Sequence, residues 1–527
     1  LNRAADSPAK TVRDQAREAL LRLADRLCIK GDKAAALAIY QQLLQDPQPV
    51  RCAAIIGTGR AGGAAQLPLL FEILEGDDAA AKGAARTALG AMAPKVAVPA
   101  VVSRIGAASP ALKAELLTAL ADGGDPESLP VFLAAAEDTD ETVRLAAIEG
   151  CGRLGNPEAA PMLVHLVASG STPVSTAAKN ALAWLPGDDD VVEAVAAAMP
   201  DADTNTRREL VDALNARRSP ACLDLLLQTA REDKEQGVRI LALEGIGTVG
   251  ESARVAALIP LLLAADAKAE KEAIQKAMVA ISRRTTAVTD VTAAVLEAID
   301  GAPKASRMPL LRVLGLLGGD QALGVVRQAL EEEDPDVRMT AIRALGDWPD
   351  MAAATDLLAC VSAGNDMTSQ VLALRGYVRL IRDVCPEPPE RKVRLYQAMM
   401  DVAPRSDDKK LVLAGLGEAP CVGALALAQR QLGEAALVAE AAVAVTQIAE
   451  TTRWTAPVET AAALHALVAA ATTEDAKSKA KGLLELIDQY DGYLQRWLLA
   501  GPYTQDKKEG KGLLDIAFPP EVETADA

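Results

Sequence analysis

The residues most suggestive of chemistry form the stretch GTGRAGG, in which Gly57, Gly59 and Gly62 have the spacing G-x-G-x-x-G. Glycines at this spacing let a strand turn sharply into a helix and bring backbone N–H groups close to a pyrophosphate. The stretch follows the apolar run 52–56, as a nucleotide-binding loop would follow a strand. A single match is weak support for such a loop, so the surrounding pattern has to decide its role.

The other residue types that bind metals or carry out catalysis are few and far apart. We interpret the two histidines, His165 and His465, as partly buried structural residues, because each lies in an apolar helical pattern. The seven cysteines form no C-x-x-C pair, which favours small core residues over ligands or disulfides. For Cys222 and Cys421, at predicted helix starts, a reactive thiolate is the alternative to ordinary packing. The sequence therefore predicts no catalytic residue, no cofactor site and no metal site.

The composition argues against several classes of partner. The net charge is −17, so no long-range attraction would draw the chain to nucleic acid. Charged or turn residues interrupt every apolar run before the ~20 residues that a membrane-spanning helix needs. We therefore expect no nucleic-acid partner and no membrane span. Half of the residues are apolar but only 2% are aromatic, which favours closely packed helices over strands.

An internal repeat explains the glycines. The stretch VRCAAIIGTGRAGG from Val50 aligns with VRLAAIEGCGRLGN from Val143, 93 residues later, which is three times a period of 31. Further copies begin near residues 81, 112, 174, 206, 238, 306 and 337. The glycines recur at the same phase as Gly150, Gly152, Gly155, Gly245, Gly247 and Gly250. A nucleotide-binding loop would not be copied in this way, so we predict Gly57 and Gly59 near a helix end and Gly62 in the following turn.

Each copy is predicted to be a helix hairpin. Apolar residues recur every three or four positions, as in Val143, Ala147 and Cys151, and a second apolar helix follows the turn. The turns EDTDETV, EEDPDV and LQDPQPV predict side-chain caps for the next helix. One hairpin of ~31 residues buries too little apolar surface to offset its ordering entropy, so the copies must stack. The predicted fold is all-α: a right-handed α-solenoid of ~31-residue hairpins with a short non-helical C-terminal segment.

A basic residue recurs at one phase of the repeat, and we call this set the basic ladder. We predict that it pairs with turn acids such as Asp46, Asp140 or Asp336 and so stabilises the array. The alternative is that part of the ladder is exposed and contacts an acidic partner segment. The basic ladder comprises Arg51, Lys82, Lys113, Arg144, Arg208, Arg239, Arg307 and Arg338.

The pattern divides the chain into three regions. A regular array covers residues 1–384, up to DVCPEPPERKV, whose prolines preclude a continuous helix. Residues 391–490 are predicted to be divergent helical repeats or a cap, on the same solenoid or as a separate domain. Residues 491–527 contain RWLLAGPY, which predicts a strand and a turn, and we expect the start of a β-rich module or a linker. Because residue 1 is leucine, we expect the natural start to lie outside this sequence.

The repeat motif D-x-x-V-R-x-x-A-x-x-A-L-G carries a family resemblance. Its copies DPDVRMTAIRALG (334–346) and DETVRLAAIEGCG (140–152) resemble the short HEAT-like repeats found also in phycobilisome lyases. The resemblance implies an armadillo-type superhelix and leaves open a bilin lyase or chaperone, although three phenylalanines leave little from which to build a bilin pocket. HEAT-like di-iron hydroxylases use His-Glu pairs, and this chain has no His-Glu dipeptide.

The C-terminal stretch carries a second resemblance. RWLLAGPY followed by AFPPE is similar to the W-x-x-x-G-P-[FY]…F-P-P-E segment of large secreted bacterial HEAT-repeat proteins. Some of these continue into a domain similar to 3-keto-disaccharide hydrolase. The resemblance implies a periplasmic or secreted protein, with a cytoplasmic one as the alternative. It also implies that the chain is the helical arm of a carbohydrate-active enzyme whose catalytic domain follows residue 527.

From the residues themselves, the leading hypothesis is a non-catalytic scaffold. A stacked array without catalytic clusters offers an extended surface that can bind another protein or a neighbouring domain of the same polypeptide. The arm of a carbohydrate-active enzyme and the bilin lyase or chaperone are the two alternatives.

Overall fold

The computed structural model describes residues 1–284, 288–363 and 366–491, and these residues contain helices and short turns without a strand. The predicted all-α class is thereby confirmed. The chain divides into two compact units, Leu1–Ala294 and Val295–Ala527. RWLLAGPY and the rest of the predicted β-rich segment lie outside the described residues.

The helices follow one another with short connections. Those of the first unit are α1 (Asn2–Ala5), α2 (Lys10–Ile29), α3 (Lys33–Leu43), α4 (Val50–Gly62), α5 (Leu67–Glu75), α6 (Ala79–Gly90), α7 (Pro94–Ile105), α8 (Pro110–Gly123), α9 (Leu129–Ala135), α10 (Glu141–Leu154), α11 (Ala160–Ser169), α12 (Thr172–Trp184), α13 (Asp188–Ala198), α14 (Thr204–Arg217), α15 (Leu223–Glu232), α16 (Gln236–Val249), α17 (Val255–Ala264) and α18 (Lys268–Arg284). The boundary between the units falls within α19 (Val288–Ile299).

The second unit also consists of helices joined by short connections. Its helices are α20 (Lys304–Leu317), α21 (Asp320–Leu330), α22 (Pro335–Gly346), α23 (Ala354–Ala363), α24 (Met367–Arg379), α25 (Pro389–Val402), α26 (Ser406–Gly417), α27 (Val422–Gln431), α28 (Val438–Thr452), α29 (Pro457–Ala470) and α30 (Glu474–Gln489). A π-helical segment, Leu380–Val384, extends α24, and Pro389 begins α25 at a position where proline needs no hydrogen-bond partner.

The helices form hairpins, as the 31-residue period predicts. We call the even-numbered helices A helices and the odd-numbered ones from α3 onward B helices. Within each unit the A helices pack side by side in chain order, and the B helices pack against them. Val143, Ala147 and Cys151 of α10 are fully buried, so the predicted apolar face does form the core. Each unit is therefore an α-solenoid.

Side-chain caps begin two of the three helices for which they are predicted. The Asp140 carboxylate accepts hydrogen bonds from the first-turn backbone of α10, and Asp334 does the same for α22. The prediction is wrong for LQDPQPV, because α4 has no side-chain cap. The Asp46 carboxylate instead lies 2.5 Å from the Arg17 guanidinium.

The glycines of GTGRAGG lie inside a helix. Gly57 and Gly59 are in the second half of α4, as predicted, but Gly62 is its last residue and not part of the turn. The turn starts at Gly63, which has a φ of +56°. A Cβ atom on Gly57 would overlap the Tyr40 ring. The apolar run 52–56 before Gly57 is part of α4 and not a strand, so the stretch is a packing site and not a phosphate-binding loop.

One of these glycines begins a recurring contact that we call the A-helix seam. A Cβ on Gly59 would lie 2.5 Å from the Ala88 carbonyl oxygen of the next A helix, so only glycine permits this approach. Contacts at the same place in the repeat join positions 29 or 30 residues apart in both units, although a Cβ on Gly152 would lie an ordinary 3.5 Å from the Ala181 Cβ. They pair Gly59 with Ala88, Gly90 with Ala119, Gly152 with Ala181, Gly247 with Ala277, and Gly315 with Ala344.

Candidate binding grooves

The basic ladder lies in the first turn of the A helices, where several members hold the preceding turn. Arg144 Nη1 donates hydrogen bonds to the backbone carbonyls of Asp138 and Thr139, at 2.7 and 2.9 Å. Arg239 and Arg338 each make the same pair of bonds to the turn before their own helix. These three guanidinium groups therefore close turns that would otherwise leave carbonyl oxygens without partners.

Ladder residues also bind carboxylates, mostly on the following hairpin. Arg239 makes a bidentate pair with Glu270, at 2.7 and 2.8 Å, and both side chains are largely buried. The remaining pairs of this kind are Arg51 with Asp78, Lys113 with Asp138, and Arg307 with Glu332. The geometry thus favours a stabilising role for these members, but with carboxylates other than the predicted Asp46, Asp140 and Asp336. Those three carboxylates bind Arg17, the first turn of α10 and Lys304, respectively.

Two ladder positions differ from the pattern. The assignment of Arg208 is corrected to Arg207, whose guanidinium binds the Asp233 carboxylate at 2.8 and 3.2 Å, whereas Arg208 is exposed. The reason is that Thr206 takes the buried place that valine holds in other copies, so the next residue occupies the ladder position. Lys82 is half-buried and has no hydrogen-bond or ion-pair partner among the described residues.

The paired carboxylates are stabilised in their charged form. The hydrogen bond from Lys113 lowers the pKa of Asp138, and the backbone N–H of Asp140 lowers it further. For Asp78 the backbone N–H of Ala81 is the largest cause of a lowered pKa. Both carboxylates are therefore anionic at neutral pH and neutralise the cations beside them.

The isolated histidines and cysteines do not form a site. His165 and His465 are exposed, so their interpretation as partly buried residues is wrong; each lies on the solvent side of a B helix. Cys222 and Cys421 are buried, and burial raises the pKa of the Cys222 thiol, which opposes a reactive thiolate. Among the described residues, no group of three or more His, Cys, Asp or Glu side chains is placed to hold a metal. No described helix combines the length and apolarity needed to cross a bilayer.

In the described part of the chain, three grooves that open between successive B helices are of interest. Groove A lies between α3 and α5 and has a volume of about 310 Å³. Groove B lies between α7 and α9, with about 400 Å³, and groove C lies between α21 and α23, with about 230 Å³. Grooves A and B belong to the first unit and groove C to the second.

The three grooves occupy the same place in the repeat. A ladder cation lines each of them: Arg51 in groove A, Lys113 in groove B and Arg338 in groove C. The residue 21 positions later, on the second B helix, also lines the groove, and it is Glu72, Ala134 or Ala359. One backbone frame therefore presents different side chains in different copies. Sequence reasoning missed these grooves, although the residue 21 positions after each ladder cation was a readable signal.

Groove B is apolar. Its walls include Val102 and Ile105 of α7 and Val131 and Ala134 of α9. Val102 is 54% exposed, so its side chain is accessible to a ligand that enters the groove. The polar pair at its edge, Lys113 with Asp138 at 2.7 Å, is internally neutralised. The groove can therefore take up a large apolar side chain.

Groove A is acidic. Arg51 is bound to Asp78 at 3.1 Å, so these two charges offset each other. Glu72 and Asp77 also line the groove, are exposed, and have no hydrogen-bond or ion-pair partner among the described residues. About two negative charges thus remain for a ligand.

Groove C is polar, and its carboxylates already accept hydrogen bonds from other groups of the chain. Asp356 accepts two hydrogen bonds from Arg327, at 2.9 and 3.0 Å. Asp366 caps α24, and the hydroxyl of Ser369 is the largest cause of its lowered pKa. Burial raises the pKa of the Cys360 thiol in the same groove. Groove C therefore offers fewer free charges than groove A.

Comparisons with known proteins agree with the repeat architecture. Residues 98–183, 191–278 and 292–374 match the family model for HEAT repeats. Curated protein sequences gave no match. Solved structures that align with this chain include yeast importin-β (Kap95p), 14% identical over 92% of this chain and 72% of that one, with a TM-score of 0.43. Kap121p bound to Ste12p is 12% identical over 100% of this chain and 58% of that one, with a TM-score of 0.46. The chain is thus an all-α solenoid protein that contains HEAT repeats.

Proposed function

We propose that this chain is a non-catalytic scaffold whose B-helix grooves bind an extended segment of a protein partner or of a neighbouring domain. The observation that carries the proposal is groove B, an apolar groove with an exposed valine at its edge. Its volume of about 400 Å³ falls in the range of roughly 300–1,000 Å³ that is typical of ligand pockets. Recurrence of the groove at repeat phase suits a ligand that is itself a chain.

A peptide-display selection tests the proposal. A library of random peptides, each about 12 residues long, is displayed on phage and selected against the full chain. We expect binders whose affinity falls at least about tenfold in the V102D variant, because aspartate removes the apolar wall of groove B. Val443 on α28 is 66% exposed and provides the matched control, V443D, which should keep full affinity.

Two outcomes would contradict the proposal. One is a selection that yields no peptide above background. The other is a set of binders that V102D and V443D affect equally, which would mean that binding does not involve groove B. Thermal melts of both variants should match that of the unmodified chain, because each substitution lies on an exposed position.

The carbohydrate-active enzyme remains the alternative proposal. It rests on the resemblance of the C-terminal stretch, which lies outside the described residues, and makes the array a docking arm for a catalytic domain. Sequencing the gene beyond codon 527 tests it, since a β-rich domain must follow. The bilin lyase or chaperone has less support, because no aromatic side chain lines grooves A, B or C.

A further inference from the structure

We propose that grooves A and B bind one and the same extended segment, which places a large apolar side chain in groove B and a lysine or arginine in groove A. The inference rests on the proposed function and adds the chemistry of the ligand. It follows from the different side chains that the two copies of the groove present.

Groove B selects an apolar group. Its one cation, Lys113, is held by Asp138 and has no charge left to attract a polar ligand. The exposed Val102 and its neighbour Ile105 would lose contact with water when a large aliphatic or aromatic side chain enters. An ionised ligand group would lose hydration there without gaining a partner.

Groove A selects a cation. The position that is Ala134 in groove B is Glu72 in groove A, and Asp77 lies nearby. Neither carboxylate has an ion-pair partner in the described part of the chain, whereas Arg51 is engaged by Asp78. A ligand carboxylate would meet like charge, and a ligand lysine or arginine would gain two partners.

The surface between the grooves does not compete for either group. Grooves A and B are separated by α5 and α7, and Glu75 of α5 pairs with Arg104 of α7. Their charges offset each other, and the ladder residue between the two grooves, Lys82, is a cation without an ion-pair partner in the described ranges, so this surface does not attract the basic residue of the ligand. The selectivity therefore resides in the two grooves.

The distance between the grooves sets the spacing of the two ligand residues. Their ladder residues, Arg51 and Lys113, are two repeats apart, and packed helices lie about 8–10 Å from one another. The grooves are therefore about 20 Å apart, which an extended chain spans with about six residues. The expected ligand has an apolar residue and a basic residue separated by about six positions.

The peptides from the display selection test the inference. We expect them to share a Phe, Leu, Ile or Met and a Lys or Arg about six positions away. The E72K/D77K variant should weaken their binding at least about tenfold, and replacing the basic residue of the peptide with alanine should remove most of that difference. Raising the salt from about 50 mM to about 500 mM should weaken binding to the unmodified chain more than to E72K/D77K.

A matched control distinguishes the effect of the groove A carboxylates on binding from the effect of the overall negative charge. Glu149 on α10 and Glu193 on α13 are exposed and belong to neither groove, and E149K/E193K makes the same change in net charge. We expect this variant to bind like the unmodified chain. Equal weakening by both double variants would overturn the inference and leave only non-specific attraction to an acidic protein.

The outcomes distinguish this inference from the proposed function. One contrary result is a set of peptides that lose affinity for V102D but contain no basic residue, or that bind E72K/D77K as tightly as the unmodified chain. This result would overturn the paired-groove inference and leave groove B as a binding site. Peptides that bind V102D as tightly as the unmodified chain would overturn both the proposed function and the paired-groove inference.

Discussion

Single basic residues hold the turns of this protein together. Arg239 donates to two backbone carbonyls of the preceding turn and to both oxygens of Glu270 on the next A helix. One side chain thus satisfies acceptors in two consecutive hairpins. Because the Glu270 carboxylate is largely shielded from water, losing the donor leaves it without a partner.

Replacing Arg239 with alanine is therefore expected to destabilise the protein. Hydrogen bonds to charged groups and the unpaired Glu270 carboxylate together suggest a loss of about 2 kcal/mol in the free energy of unfolding. The control is R208A, which removes an exposed arginine from the same surface and should change stability by less than about 0.5 kcal/mol. Urea denaturation followed by circular dichroism measures both. Equal stability of the two variants would show that the ladder does not stabilise the array.

The pair formed by Lys113 and Asp138 predicts a pH dependence. The folded protein lowers the pKa of Asp138 below its ordinary value of 3.8. Its stabilising contribution is therefore present above about pH 4 and is lost as the pH falls through the lowered folded-state pKa. D138N should be less stable than the unmodified chain at pH 7, and the difference should shrink as the pH falls. D201N, at an exposed aspartate, serves as the control, and a constant D138N difference would contradict the prediction.

At this scale the sequence is most informative where residue chemistry and repeat phase agree. It predicts the ladder because a cation beside the first buried residue recurs in each repeat. It placed Arg208 wrongly, because two adjacent arginines are equally polar and only the burial of Thr206 shows which one faces the turn. His165 was likewise misjudged: an apolar run contains exposed positions, and only the contacts of α11 show on which side a residue lies.

At the scale of helices, glycine residues allow neighbouring A helices to pack closely. The A-helix seam brings the backbone of one A helix against the next, as Gly59 does against Ala88. Helical periodicity predicts that Gly57 and Gly59 lie in a helix, but it does not say which neighbour each one meets. The grooves between B helices were also missed: the residue 21 positions after each ladder cation marks where they lie, but whether they open depends on how far apart the helices pack.

Two glycines in neighbouring A helices should respond to alanine in opposite ways. In G59A the new Cβ would lie 2.5 Å from the Ala88 carbonyl oxygen, and overpacking of this kind costs about 1–3 kcal/mol. Gly83 in α6 has open space, since the nearest atom to a new Cβ is Arg86 Nη2 at 3.8 Å. G83A should therefore stabilise the protein by about 0.5–1 kcal/mol, the usual gain within a helix. Changes of the same sign in urea denaturation would refute the assignment of the seam.

At the scale of the whole molecule, stability is expected to be shared between neighbours. Repeat arrays gain stability from each repeat and its adjacent interfaces, so a lesion acts most strongly nearby. Two tryptophans in the described part of the second unit can report this effect. Trp348 follows α22 and is fully buried, and Trp454 follows α28 and stacks on Arg453 at 4.7 Å.

G315A should affect these two reporters unequally. Its Cβ would press on Ala344 of α22, next to Trp348 and three A helices away from Trp454. In chains that keep only Trp348 or only Trp454 of the four tryptophans, G315A should lower the urea midpoint more when Trp348 reports than when Trp454 reports. Tryptophan fluorescence gives both values. Equal shifts would mean that the unit unfolds as one cooperative block.

The residues paired in the A-helix seam have a nearly constant separation in sequence, and this has a genetic consequence. Each seam contact joins a glycine to a residue 29 or 30 positions later, whichever copy it belongs to. Removing one complete repeat from the gene would bring the glycine of one copy against the alanine of another at the same offset, whereas removing ten codons would break the register. Alleles of this gene that differ in length are therefore expected to differ by whole multiples of about 31 codons. The number of repeats can then change by duplication or loss without redesign of the interfaces.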